Sequence, residues 1–203
     1  ELVSSIPTGA IAAPVRILPE KKNVFKDAHS QLVIKGGSEN DVVIATGGDS
    51  SVEGGAGSDV IIGGTGDNPL SGNTGDDFII GDLLLSEYFL GNDILVSGAG
   101  NDLIEGGNGS DIFIFSPLDG NDTIAKFDLN LQNLIASQPR AKDFQIGKDK
   151  IDLSSFGYTS YDEIVNKINL TSGGNAQFSD QGTTILIFGV EPDQLSSQEF
   201  IFT

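Results

Sequence analysis

Single large apolar residues recur in the middle of the chain at Val43, Val52, Ile61, Leu70 and Ile79, nine residues apart. The spacing returns at Leu95, Ile104 and Phe113 and closes at Ile124. Each sits inside a run of three, such as Val42-Val43-Ile44 or Phe78-Ile79-Ile80, and six mostly small or polar residues separate the runs. A run of three with an apolar centre predicts a short strand whose pleat turns the middle side chain inward. Each unit of nine is then a six-residue turn followed by a three-residue strand. One unit buries too little to stand alone, so the units must stack. Two units make a coil of 18 residues with a turn on either side, and the stacked product is an all-β, β-helix-like parallel β-roll.

The turns are as regular as the strands. The units align to Gly-Gly-x-Gly-x-Asp-x-U-x, where U is large and apolar. They begin at Gly36, Ala45, Gly54, Gly63 and Gly72, then, after seven residues (Gly81 to Glu87) that break the register, at Tyr88, Ser97 and Gly106, with a worn unit from Pro117. The five defined positions match 34 times in 45. A flexible Gly/Asp linker has no need of an apolar residue at every eighth position, which sets that reading aside.

Charge sharpens the picture. The chain of 203 residues has net charge −18, and residues 36–125 hold 12 Asp and 4 Glu with no Lys or Arg. The same stretch holds 20 of the 27 glycines. Like charges so dense repel and keep a chain open unless they are neutralised. No basic segment here is large enough to do so. A hard divalent cation held by oxygen ligands is the natural counter-charge, and calcium prefers an oxygen cage of carboxylates and carbonyls. Several Ca²⁺ ions are expected, with folding and neutralisation as one event.

The register predicts which aspartates share ions, because turns two units apart are neighbours. Asp41, Asp59 and Asp77 lie on one side, continued by Asp102 and Asp122 if the insertion merely bulges. The other side carries Ser50, Asn68, Asp93 and Asp111. The expected ion-sharing pairs are 41/59, 59/77 and 93/111, followed by 77/102, and the Ser50 and Asn68 turns are expected to be weak or empty. Asp49 and Asp67, one position earlier, are candidates to compensate there. Backbone oxygens of the turn glycines Gly36, Gly54, Gly55, Gly57, Gly72, Gly75, Gly98, Gly100, Gly107 and Gly109 complete the candidate metal ligands.

On these units the chain resembles the RTX (repeats-in-toxin) family, whose signature is this nonapeptide. The resemblance covers roughly residues 36–125. It implies repeats that stay unfolded in a low-calcium cytosol and fold after export by a type I secretion machinery that reads an uncleaved C-terminal signal. Lys148 to Phe156 (KDKIDLSSF) and Gly189 to Thr203 (GVEPDQLSSQEFIFT) resemble segments that follow such repeats in secreted proteases and large adhesins. A secreted or cell-surface location and a large adhesin as the parent are what the resemblance implies.

The flanks differ in kind. Residues 1–35, with Pro7, Pro14, Pro19 and the cluster Lys21, Lys22 and Lys26, are expected to be a linker ending in a lead-in strand at Gln31 to Ile34. His29 beside it is expected at the surface. Residues 126–203 are expected to be a mixed, mainly β cap that closes the roll edge and doubles as the export signal. In it, Ser160-x-x-Glu163 predicts a capping box opening a short helix to about Ile168. Ala176–Ser179 and Thr183–Phe188 around Asp180-Gln-Gly predict a hairpin. Ser196-x-x-Glu199 predicts a capped turn before Phe200–Phe202.

The composition excludes much. With Cys 0 and His 1 there is no disulfide framework, no zinc–thiolate or histidine-pair site and no cysteine nucleophile. The acidity disfavours nucleic acid as a partner. No run of about 18 apolar residues predicts a membrane span. The chain begins at Glu1 without a basic and apolar leader and has Met 0, as expected of a piece of a longer protein. Neither a HExxH nor a GxSxG motif is present, so the expectation is a monomeric, non-catalytic module. The competing readings are the tail of a secreted hydrolase and a roll that binds glycan or ice. Against ice stands the uneven third turn position (Ser38, Gly47, Ala56, Thr65, Thr74), and against glycan the lack of an aromatic platform apart from Tyr88 and Phe89.

Overall fold

The computed structural model describes residues 15–17, 24–27, 32–45, 47–82, 91–127, 129–130, 135–136, 139 and 141–203, with the backbone alone for 15–17, 24–27, 129–130 and 135–136. His29, Tyr88, Phe89 and the lysine cluster at 21–22 lie outside the described residues. Numbered along the chain, the strands are β1 (Val15–Ile17), β2 (Val24–Asp27), β3 (Val33–Lys35), β4 (Val42–Ala45), β5 (Ser51–Ala56), β6 (Val60–Gly64), β7 (Pro69–Thr74) and β8 (Phe78–Asp82). They continue as β9 (Ile94–Ala99), β10 (Leu103–Glu105), β11 (Ile112–Ile114), β12 (Gly120–Ile124), β13 (Leu129–Asn130) and β14 (Ile135–Ala136). The last five are β15 (Lys150–Asp152), β16 (Ile168–Leu170), β17 (Ala176–Asp180), β18 (Thr183–Ile187) and β19 (Phe200–Ile201).

Successive strands alternate between two sheets, as a roll requires. One sheet runs β1-β3-β5-β7-β9-β11-β15-β19, the other β16-β17-β18-β12-β10-β8-β6-β4-β2. Pairing within the roll is parallel, and the eighth positions stack in register. Val52, Leu70, Leu95 and Phe113 form one file, and Val43, Ile61, Ile79, Ile104 and Ile124 the other. All nine are at most 1% exposed and meet between the sheets as the core. The fold class is therefore the parallel β-roll that the period of nine predicts.

The two sheets differ on their outer faces. Ile62, Phe78 and Ile80 lie beside inward-facing neighbours yet are also buried, in a second apolar cluster with Ala125 and Phe127. The other sheet carries Ser51, Glu53 and Ser71 at equivalent positions and leaves them partly exposed. The signal was in the sequence: runs such as VII and FII are apolar throughout, as expected of strands covered on both faces, whereas SVE and PLS alternate.

Three elements depart from the sequence reading. First, the roll begins before residue 36: β1 pairs with β3 and β2 with β4, where one lead-in strand was expected. Parallel backbone pairing needs no glycine turn, so the nonapeptide template does not reveal these strands. Second, the register break falls between Asp82 and Gly91. Gly81 and Asp82 occupy the first two turn positions, since Asp82 pairs with Gly64, and Gly91-Asn92-Asp93 occupy the last three. Third, Ser160 opens two 3₁₀ turns, Tyr161–Glu163 and Val165–Lys167, where an α-helix was expected. The Glu163 carboxylate accepts from the Thr159 amide at 2.9 Å, and Ser160 makes no side-chain cap.

The rest of the C-terminal segment extends the roll. The hairpin pairs β17 with β18, and β18 adds in parallel to β12, while β15 and β19 extend the other sheet. Gln181 and Gly182 turn the hairpin with φ of 47° and 81°, the left-handed pair of a tight hairpin turn. The Ser196 box is formed, with Ser196 accepting the Gln198 amide and Glu199 accepting the Ser196 amide at 2.9 Å. Phe144, fully buried, lies 6.0 Å from the Phe113 ring and joins this segment to the core.

Candidate metal centre

The glycine turns put one aspartate per turn, at its sixth position, into two columns. In the first column each aspartate accepts, on Oδ1, the amide hydrogen of the aspartate one coil earlier. Asp59 accepts from Asp41 at 2.7 Å, Asp77 from Asp59 at 2.8 Å, Asp102 from Asp77 at 2.8 Å and Asp122 from Asp102 at 3.0 Å. The sequence separation changes from 18 to 25 across the insertion and to 20 at the last step, but the contact is the same. The column thus continues across the insertion. The second column runs Ser50, Asn68, Asp93, Asp111 and Asp149 through the same bond.

The other carboxylate oxygen is where the chemistry lies. Asp59, Asp77, Asp93, Asp102, Asp111 and Asp122 each bury Oδ2 with no hydrogen-bond partner among the described residues. All six are at most 2% exposed. A buried polar atom left unpaired costs about 1–3 kcal/mol, more when charged. Burial is accordingly the main force on their acidity. It pushes Asp77, Asp93 and Asp122 up to about 8, Asp102 and Asp111 to about 7 and Asp59 to about 6, against the amide bonds that favour the anion, while neighbouring aspartates add repulsion. At the column ends the atom is paired within its own turn: Asp41 Oδ2 accepts from Gly37 at 2.9 Å and Asp149 Oδ2 from Gln145 at 2.7 Å.

The glycines define the space these oxygens face. Gly36, Gly54 and Gly72 open their turns, Gly55, Gly98 and Gly107 stand second, and Gly57, Gly75, Gly100 and Gly109 fourth. A β-carbon on Gly54 would stand 2.8 Å from the Gly72 carbonyl oxygen and against Asp59 Oδ2. On Gly72 it would stand 2.6 Å from the Ser97 oxygen and against Asp77 Oδ2. The orphaned oxygen, the carbonyl of the next coil and the bare α-carbon thus share one cradle. At Gly57 the turn also requires φ of 109°, which disfavours a side chain.

No three His, Cys, Asp or Glu side chains among the described residues gather as a metal-holding group. A cation here needs carbonyls as well as carboxylates, a donor set without nitrogen or sulfur that fits calcium.

The degraded turns solve the problem differently. Asn68 Oδ1 accepts from the Ser50 amide at 2.8 Å, as an aspartate's would, and its Nδ2 donates to the Gly66 carbonyl at 2.6 Å. Ser50 Oγ donates to the Gly48 carbonyl at 3.1 Å. A side-chain donor satisfies the carbonyl of the fourth turn position, and no orphan remains there. Asp49 and Asp67 are exposed and engaged otherwise: Asp49 accepts the Asp67 amide at 3.1 Å and Asp67 the Asn92 amide at 2.8 Å.

These bonds belong to a second ladder that the template missed. At the fifth position Asn40, Asp49, Asp67, Asp76, Asn92 and Asn101 each accept the amide of the next coil, opposite in direction to the aspartate ladder. Its signal was the recurrence of short carbonyl-bearing side chains at that position. Also missed were Asp82, Asp143 and Asp149, all buried and outside the template. Asp143 caps the Gly106 and Gly107 amides at 2.6 and 3.3 Å.

Comparison with known proteins agrees with this architecture. Residues 35–68, 62–83 and 89–116 match the family model of the RTX calcium-binding nonapeptide repeat (4 copies). The matched segments are RTX-type repeats, and they build strands β4 to β11 of the roll. No curated protein matches the chain. Among solved structures, a subunit of the mannuronan C5-epimerase of Azotobacter vinelandii is similar at 20% identity over 81% of this chain and 78% of that one, with TM-score 0.45. The extracellular lipase LipA of Serratia marcescens is similar at 14% identity over 96% of this chain, with TM-score 0.39, and the match spans 41% of the lipase.

Proposed function

We propose that this chain is a calcium-dependent folding module of an exported protein, without catalysis of its own. The carrying observation is the set of six buried Oδ2 atoms, one per turn in two columns, each without a hydrogen-bond partner among the described residues. Asp41, Asp59, Asp77, Asp102 and Asp122 would hold ions along the first column, and Asp93 and Asp111 along the second, with the turn-glycine carbonyls completing the shells. Calcium supplies the positive charge that this acidic stretch lacks. The protein's own part is to place carboxylates one coil apart through the Oδ1–amide ladder and to keep the cradle free of side chains. Without the ion, carboxylates with raised proton affinity must be buried, so the open chain is favoured at neutral pH.

Residues 126–203 continue both sheets, which supports their reading as a cap on the roll. Their resemblance to segments that follow RTX repeats supports a C-terminal signal for type I export. A large surface adhesin is the parent this reading favours, with the module acting as a monomer. Far-UV circular dichroism of the chain during a calcium titration tests the folding switch. A cooperative gain of β signal with calcium and none with magnesium is expected. A spectrum already folded in chelator and unchanged by calcium would overturn it.

A further inference from the structure

The template puts glycine at the second turn position, and the turn that opens at Gly81 places Asp82 there. Asp82 is 0% exposed. Its Oδ2 is used, accepting the Asn108 amide at 3.1 Å and the Gly91 amide at 3.5 Å. Its Oδ1 is buried with no partner among the described residues. Two other oxygens lie beside that atom at Gly91. The position of a β-carbon on Gly91 lies 3.2 Å from Asp82 Oδ1, 3.0 Å from Asp93 Oδ1 and in contact with the Gly66 carbonyl oxygen. Gly66 already accepts from Asn68 Nδ2, and a carbonyl has a second lone pair to offer.

We propose that Asp82 creates a cation site absent from the nonapeptide template, beside the turn 63–68, with Asp82, Asp93 and the Gly66 carbonyl as its donors. The site restores on the second column a carboxylate that Asn68 has lost. The hard oxygen set assigns it to calcium. The inference rests on the reading of the roll as calcium-binding and adds a ligand from outside the repeat.

Isothermal titration with calcium on the whole chain tests it, using Asp82→Asn and Asp82→Gly, with circular dichroism at saturating calcium to verify the fold. Asn keeps an acceptor for the Asn108 amide and removes only the charge, whereas Gly restores the template. Both variants are expected to bind one ion fewer than the parent. An unchanged ion count and affinities within twofold in Asp82→Asn overturn the proposal, even if Asp82→Gly is perturbed, because Asp82 would then be a hydrogen-bonding residue only. If the parent chain itself takes up no calcium, the reading of the whole roll falls, and this site with it.

Discussion

Asp77 accepts the Asp59 amide on Oδ1 at 2.8 Å, one full coil away, and leaves its Oδ2 buried and unpaired. The two oxygens of one carboxylate thus have separate duties. One aligns the coils through a hydrogen bond that needs no metal, and the other waits for a charge the protein does not supply.

Replacing Asp77 with Asn should therefore act in opposite directions with and without calcium. Asn keeps the Oδ1 bond and turns the orphan into a donor, as Asn68 does toward Gly66. In chelator the variant should be more stable by about 1–3 kcal/mol, the cost of an unsatisfied buried group. In calcium it should bind fewer ions and lose its advantage. Denaturant melts in both conditions measure this, and a loss of stability in chelator would refute the argument.

The converse change is Ser50→Asp together with Asn68→Asp. It removes the donors to Gly48 and Gly66 and places two carboxylates one coil apart. The double variant should gain at least one bound ion by titration and become less stable in chelator. An unchanged ion count would mean that the sixth position alone does not make a site.

Acid should stabilise the metal-free roll. Asp59 and Asp82 are raised to about 6, and Asp77, Asp93 and Asp122 to about 8, chiefly by burial. Their folded values lie above the unfolded ones, so the folded state holds more protons between them. Their contribution is present in full below about pH 4 and is lost as pH rises through about 6 and then about 8. In calcium the sign reverses, because protons compete with the ion for the same oxygens. Melts in chelator and in calcium between pH 4 and 8 should show opposite slopes.

Gly72→Ala should cost stability in calcium and remove an ion. The new methyl would stand 2.6 Å from the Ser97 oxygen and against Asp77 Oδ2, in the cradle itself. A loss of about 1–3 kcal/mol is expected in calcium. Melts and titration on one sample check both effects.

Phe144→Ala tests whether the C-terminal segment holds the roll closed. The ring is fully buried against Phe113. Its removal should cost about 3–5 kcal/mol and lower the calcium-saturated melting point of the whole chain in a single transition. Two separate transitions would show that roll and cap fold independently.

The amino-acid sequence by itself determined the roll, its nine inward residues and the two columns from Asp41 to Asp122 and from Ser50 to Asp111. The reason is local: turn and strand alternate within nine residues, so register follows from counting. Counting also survives the insertion, which is why Asp102 and Asp122 fall where the period puts them. What only the tertiary structure decided is everything that depends on contact between coils. The division of labour between Oδ1 and Oδ2 and the opposed ladder at the fifth position join residues 18 or 25 apart or turn on what a neighbouring coil leaves unpaired. Asp149 lies outside the repeat and enters the second column because β15 adds in parallel to β11, and Asp82 stands where the template has glycine. The failure of the helix at Ser160 has the same origin: the segment is drawn against the core at Ile164 and Ile168, and packing there overrides a local capping signal.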